Sequence, residues 1–132
     1  LLKKRHVIRN KEFAMSYDTD NVFAKILCGE IPTARIYDDG FAVAFADRAP
    51  AAPTHVLVIS KVGYENYDAF IAHARDDEIV GFFRAVRQVA AQLGVSDNFR
   101  LITNNGAGAG QSVFHFHVHL LAGKKMDALL PE

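Results

Sequence analysis

Apolar and polar positions change period along the chain, and the changes mark its elements. Val22, Phe23, Ile26 and Leu27 share one face of a short helix, with Asp20 or Asn21 placed to cap it and Gly29 and Pro32 to stop it. A strand around residues 34–37 then meets Asp38-Asp39-Gly40, a hairpin signal. Phe41, Val43 and Phe45 alternate with Ala42, Ala44 and Ala46, which predicts a strand with one bulky face and one small face. Residues 48–53 hold two prolines and read as a loop, and His55 opens a third strand over 55–60. Ile79, Phe82, Phe83, Val86, Val89 and Leu93 recur at helical spacing, with Asp76 or Asp77 at the start and Gly94 at the end. A fourth strand is expected over 99–103, a glycine-rich loop over 104–111 and a fifth strand over 112–121. Hairpins at one end and a helix inserted between strands predict an α+β fold, an antiparallel five-stranded sheet with one long and one short helix. The pattern contains no internal repeat and no second domain.

Composition narrows the class. The chain has 132 residues, of which 50% are hydrophobic and 23% charged, the profile of one soluble domain. A single cysteine, Cys28, excludes a disulfide framework and any paired-cysteine zinc or redox site, and fits a reducing, cytoplasmic setting. Fifteen basic residues balance fifteen acidic ones, so the chain lacks the general positive field used to bind nucleic acid or anionic membranes. The balance is uneven: residues 1–14 carry Lys3, Lys4, Arg5, Arg9 and Lys11 against Glu12, a net of +4, leaving −4 for the rest. Those residues are expected to be a disordered basic extension, with the domain proper running over 15–132 from Met15-Ser16.

The chemistry gathers in the last predicted strand. His115, His117 and His119 alternate there and so share a face with Val113 and Leu121, while Phe114, Phe116, Val118 and Leu120 share the other. The apolar face belongs to the core, against the long helix. The histidine face is left to look at solvent, a ligand or another part of the protein. A metal is a poor fit for the triple alone: three alternate strand residues span about 13 Å, and no carboxylate or thiolate adjoins them in sequence. Metal-free catalysis suits the pattern better, because imidazole titrates near neutrality and serves as nucleophile or hydrogen-bond donor. The loop before it, Asn104-Asn-Gly-Ala-Gly-Ala-Gly110-Gln111-Ser112, has glycines at alternate positions whose N–H groups are expected to turn toward an oxyanion.

The segment Gln111-Ser-Val-Phe-His115-Phe-His-Val-His119-Leu-Leu121 resembles the signature of the histidine triad (HIT) family. Phe23-Ala-Lys-Ile-Leu-Cys-Gly-Glu-Ile-Pro32, Asp47-Arg-Ala-Pro-Ala-Ala-Pro-Thr-His55-Val-Leu-Val-Ile59 and Asn104-Asn-Gly106 are similar to its Hint-like branch, in order and spacing. The resemblance implies a homodimeric HIT-like fold that hydrolyses purine nucleoside phosphoramidates through a covalent nucleotidyl-histidine, without cofactor or metal. It makes His117 the nucleophile. His119 is then the hydrogen-bond partner of the phosphate or leaving atom, with His115 and His55 supporting the nucleophile's tautomer and orientation. Ser112 assists the leaving amine, and Asn104, Gly110 and Gln111 hold the phosphate side. Asp47 accepts the ribose hydroxyls, a task for which its oxygens suit it, though it is equally placed to brace the turn that follows. Val22, Phe23, Ile26 and Ile31 wall the base, although Phe23 and Ile26 also lie where core residues would.

Two departures qualify the branch. Zinc-bearing bacterial relatives carry two cysteines around the first helix and a histidine after the third strand, where Asn21, Ala24 and Gly63 stand here. The tail 124–132 lacks the tryptophan-containing end of the best-known members, which bears on substrate choice. The competing readings are a dinucleoside polyphosphate hydrolase and a nucleotide-binding regulatory module. The resemblance also implies a two-fold interface formed by residues 99–103 and 79–93, which offer an edge and an apolar flank, with Phe82 or Phe83 expected at or just behind it.

Overall fold

The computed structural model describes residues 17–130. The basic segment 1–14 lies outside the described residues. Helix α1 (Val22–Leu27) is capped by Asn21, whose Oδ1 accepts from the Ala24 N–H at 2.9 Å. Strand β1 (Tyr37–Asp38) turns through Asp39, whose Oδ1 accepts from the Phe41 and Ala42 N–H groups, into β2 (Ala42–Ala46). Strand β3 (Thr54–Ser60) follows, then helices α2 (Tyr67–His73) and α3 (Asp76–Gln92), strand β4 (Arg100–Ile102), a 3-10 turn (Ala107–Ala109) and strand β5 (His117–Ala122). The sheet is five-stranded in the order β1-β2-β3-β5-β4, with every pair antiparallel. The α+β fold is the expected one.

Register sorts the two faces. His117 pairs with Ile59, and His119 with Leu57 on one side and Ile102 on the other; Leu57 and Ile59 in turn oppose Phe45 and Val43. Directly opposed residues share a face, so both histidines stand with the bulky side of β2, and α1 covers that face with Phe23 and Ile26. The opposite face is Ala42, Ala44, Val56, Val58, Val118 and Leu120, packed on Phe82, Val86, Val89 and Ala90 of α3. The alanines of β2 thus lie under the long helix and Val43 and Phe45 on the side of the histidines, while the Phe41 ring, expected with them, lies against Gly81 of α3.

Four elements differ from the sequence pattern, the first being β1, which occupies Tyr37–Asp38 where a strand around 34–37 is expected. Helix α2 was not expected; Asn66 caps it, accepting from the Ala69 N–H at 2.9 Å, and Phe70 stacks on Phe116 at 4.4 Å between ring centroids. One buried residue in seven leaves no amphipathic stripe to read. The start of α3 is held by Glu78, whose carboxylate accepts from the Arg75 N–H at 2.9 Å, while Asp76 and Asp77 occupy the first turn instead of the cap position. Its end is the expected one: Gly94 takes φ +73°, a conformation that side chains disfavour. Strand β5 begins at His117, five residues later than expected. The preceding stretch is drawn off by the 64–65 segment, with Phe116 N–H donating to the Tyr64 carbonyl and Gln111 Nε2 to the Glu65 carbonyl.

Candidate active site

A cavity of about 630 Å³ opens on the histidine face, of the size that takes a nucleotide-scale ligand. Val22, Phe23, Ile26, Ile31 and Phe45 form its apolar wall, and His117, His119, Asn104, Gly110 and Ser112 its polar end, with Asp47 also on the lining. Phe23 and Ile26 are core and wall at once: each is 6% exposed, yet both reach the cavity. Folding therefore unites ten of the thirteen residues singled out in the sequence. The other three, His115, His55 and Gln111, stand behind the lining.

The hydrogen-bond partners assign each imidazole its tautomer. A carbonyl only accepts, so His117 Nδ1 carries the proton it donates to the His115 carbonyl at 2.7 Å. The Nε2 lone pair of His117 is then free. Phe23 packs edge-on against the ring at 5.0 Å and holds its plane. The Ala51 N–H donates to His55 Nδ1 at 3.0 Å. Neutral His55 must then carry its proton on Nε2, donating it to His119 Nδ1 at 2.9 Å. That leaves His119 with its proton on Nε2. One ring of the pair thus offers a lone pair and its neighbour, 5.2 Å away between centroids, offers a donor.

Two supporting residues act differently from expectation. His115 orients His117 through its backbone carbonyl, while its own ring turns away: Nε2–H donates to the Ser60 carbonyl at 2.7 Å and Nδ1 accepts from the Tyr17 hydroxyl. His55 touches His119, and its effect on the nucleophile is indirect. Tyr17 had no sequence signal, because its partner lies 98 residues away. Its ring occupies the space that a side chain at Gly63 would fill, a Cβ there falling 2.6 Å from the ring.

Gln111 and the glycine loop need correction as phosphate holders. Gln111 is buried; Oε1 accepts from Gly106 N–H, and Nε2 donates to both the Glu65 and Val113 carbonyls, so no donor remains. The N–H groups of Ala109, Gly110 and Gln111 are likewise consumed, by the carbonyls of Gly106, Ala107 and Gly106. The loop is a closed 3-10 turn that presents its neighbours, the Asn104 amide and the Ser112 hydroxyl, to the cavity. Asp47 has two attachments: Oδ1 accepts from Ala49 N–H at 2.8 Å, bracing the turn, and Oδ2 lies 3.4 Å from His55 Nε2.

Folding also brings to the histidines a carboxylate that the sequence did not place beside them. Potential ligand atoms of Asp47, His55 and His119 fall within 4.8 Å of one another. They do not fit an ion as they stand, because the Ala51 N–H occupies His55 Nδ1 and leaves a proton, not a lone pair, at Nε2.

Burial favours the neutral form of His115, His117 and His119. Desolvation pushes His115 down to about 4, and His119 to about 4 with help from His117 and His55; His117 is lowered also, mainly by burial. Unfolded, each ring takes a proton below about 6.5. Between 6.5 and about 4 the unfolded chain therefore holds the extra protons, and stability falls as pH falls. The loss is about 1.4 kcal/mol per pH unit for each fully shifted ring. The urea midpoint is accordingly expected to drop between pH 7 and pH 5, and His115→Gln to flatten part of that drop. A midpoint unchanged over this range would contradict the assignment.

The comparisons with known proteins agree with this geometry. The HIT domain profile matches residues 28–126. An uncharacterised HIT-like protein of Rickettsia prowazekii is 44% identical over 115 residues, 86% of this chain and 96% of its own. A 14 kDa zinc-binding protein of Zea mays is 41% identical over 111 residues, 83% of this chain and 87% of its own. Among solved structures, a histidine triad protein from Clostridium difficile is similar with TM-score 0.75 and 35% identity, covering 86% of this chain and 98% of its own. A HIT family hydrolase from Clostridium thermocellum follows at TM-score 0.74 and 38% identity, covering 84% and 97%. With the family profile spanning most of the fold and all three histidines on the cavity or directly behind it, the chain belongs to the HIT family.

Proposed function

We propose that this chain is a nucleotide hydrolase of the Hint-like branch that cleaves purine nucleoside phosphoramidates. The observation that carries the reading is the tautomer of His117, whose Nδ1–H is tied to the His115 carbonyl so that Nε2 presents a lone pair to the cavity. The hydrolase named among the solved relatives supports the reaction class.

In this reading the base lies on the Phe23–Ile26–Phe45 wall and the ribose hydroxyls meet Asp47. His117 Nε2 attacks the phosphorus, forming a P–N bond as the bond to the substrate amine breaks. The departing nitrogen takes a proton from solvent through the exposed Ser112 hydroxyl. His119 Nε2–H and the Asn104 amide stabilise charge on the phosphoryl oxygens. Water then attacks the phosphorus, loses its proton to solvent, and releases the nucleoside monophosphate with His117 restored. Splitting one displacement into two lowers each barrier. None of these steps uses zinc, for which the maize relative is named. The reaction belongs in the cytoplasm on the composition argument above.

Mass spectrometry of protein quenched during turnover of an AMP-amine is the test. A nucleotidyl adduct on His117 is expected; turnover without it would overturn the covalent step. Faster cleavage of a diadenosine polyphosphate than of the amide would replace this reading with the polyphosphate one.

We also propose that the working form is a homodimer. Edge strand β4 leaves Leu101 and Ile102 exposed beside Phe99, and α3 exposes Val80 and Phe83, while Phe82 is buried beneath them in the core. Pairing this surface with its copy covers both the edge and the apolar side chains. Light scattering should return twice 14.6 kDa, and a value near the single chain would refute it.

A further inference from the structure

We infer that Arg48 selects the base, and that the nucleotides this pocket prefers carry a 6-oxopurine, guanine or hypoxanthine. The inference rests on the nucleotide reading above and adds the identity of the base. Apart from the histidines, the charged residues on the cavity lining are Asp47 and Arg48. Asp47 is held in place by Ala49 N–H and stands beside His55. Arg48 is different: it is exposed, and among the described residues it makes no ion pair or hydrogen bond. A guanidinium on the cavity lining that pairs with no acid among the described residues is open to a ligand.

The functional groups of a bound nucleotide divide among the lining residues in a way that leaves Arg48 to the base. The phosphate goes to the polar end with His117, His119, Asn104 and Ser112, and the ribose to Asp47. The apolar wall takes the faces of the base and supplies no polar atom for its edge. Arg48, with the Thr33 hydroxyl on the same lining, is what remains to read that edge. Guanidinium carries donors only. Guanine shows two adjacent acceptors, O6 and N7, which match a fork of donors; adenine puts the N6 amino donor where O6 would be. Arg48 therefore gains two bonds from guanine and meets a like donor in adenine. A phosphate on the ribose is the other group that arginine favours, but it would stand against the Asp47 carboxylate and be repelled.

Isothermal titration of the full chain with GMP, IMP and AMP tests the inference. GMP and IMP are expected to bind about 5- to 20-fold tighter than AMP, the low part of the range for a bidentate contact because Arg48 is exposed. In Arg48→Ala the GMP-to-AMP ratio should fall to near one, and Arg48→Lys should recover part of it through a single bond. Equal affinities in the unmodified chain would overturn the inference, as would a ratio that survives Arg48→Ala. So would adenosine 3′,5′-bisphosphate binding tighter than both GMP and AMP in an Arg48-dependent way, which would assign Arg48 to the ribose side. Failure of all the nucleotides to bind would overturn the nucleotide reading itself, a result distinguishable from loss of preference alone.

Discussion

Replacing His117 with alanine is expected to lower phosphoramidate turnover by about a thousandfold or more, because nothing else on the cavity presents a free imidazole lone pair. His119 has its Nδ1 acceptor occupied by His55 and its Nε2 protonated; His115 is fully buried with both nitrogens bonded. Neither can substitute. Affinity for the nucleotide monophosphate should change only a few-fold, since the base wall and Asp47 stand on other elements. Steady-state rates and calorimetry on the same preparation check both halves. A variant that keeps turnover within tenfold would move the nucleophile elsewhere. A variant that loses binding along with turnover would show that the ring's contact with Phe23 at 5.0 Å holds the pocket wall as well as the chemistry.

Phe116→Ala should have the largest effect on stability, about 3–5 kcal/mol. Its ring is 1% exposed, stacked on Phe70 at 4.4 Å and 4.9 Å from Phe82, so it joins α2 and α3 to the sheet. Truncation leaves a cavity that three aromatic neighbours cannot close without leaving their own packing. The same residue lies between His115 and His117, and its N–H and carbonyl hold the strand entrance against Tyr64 and Ser60. Activity is therefore expected to fall in the folded fraction too, as the His115 carbonyl loses its fixed place. Urea unfolding measures the first effect, and rates well below the melting midpoint the second. A midpoint near that of the unmodified chain would mean that the aromatic cluster carries far less of the core than its burial implies.

How much of this was legible beforehand follows the range of each interaction. Alternation in 117–121 sorted Val118 and Leu120 to the core and His117 and His119 to the other face, because strand geometry is local and period two leaves no choice. The spacing of Phe82, Val86 and Val89 marked the buried stripe of α3, and Gly94 its end, for the same reason. Helix α2 was not legible, since its single buried anchor, Phe70, finds its partner 46 positions away in Phe116.

The site divides in the same way. The sequence by itself determined which chemical groups were available, three alternating imidazoles, a carboxylate before a proline-rich turn and a small polar loop, and on which face of a strand two of the imidazoles would stand. It did not settle what each group would do. The protonation of His119 is set by the Ala51 N–H acting through His55, that of His115 by Ser60 and Tyr17, and the lone pair on His117 by a neighbouring carbonyl. The Gln111 side chain and the N–H groups of Gly106, Ala109, Gly110 and Gln111 looked like anion donors in the sequence and are spent on closing the loop. A side chain's identity fixes how many bonds it can make. Which of those bonds remain for a ligand depends on partners tens of residues away, and only the packed structure brings those partners within about 3 Å.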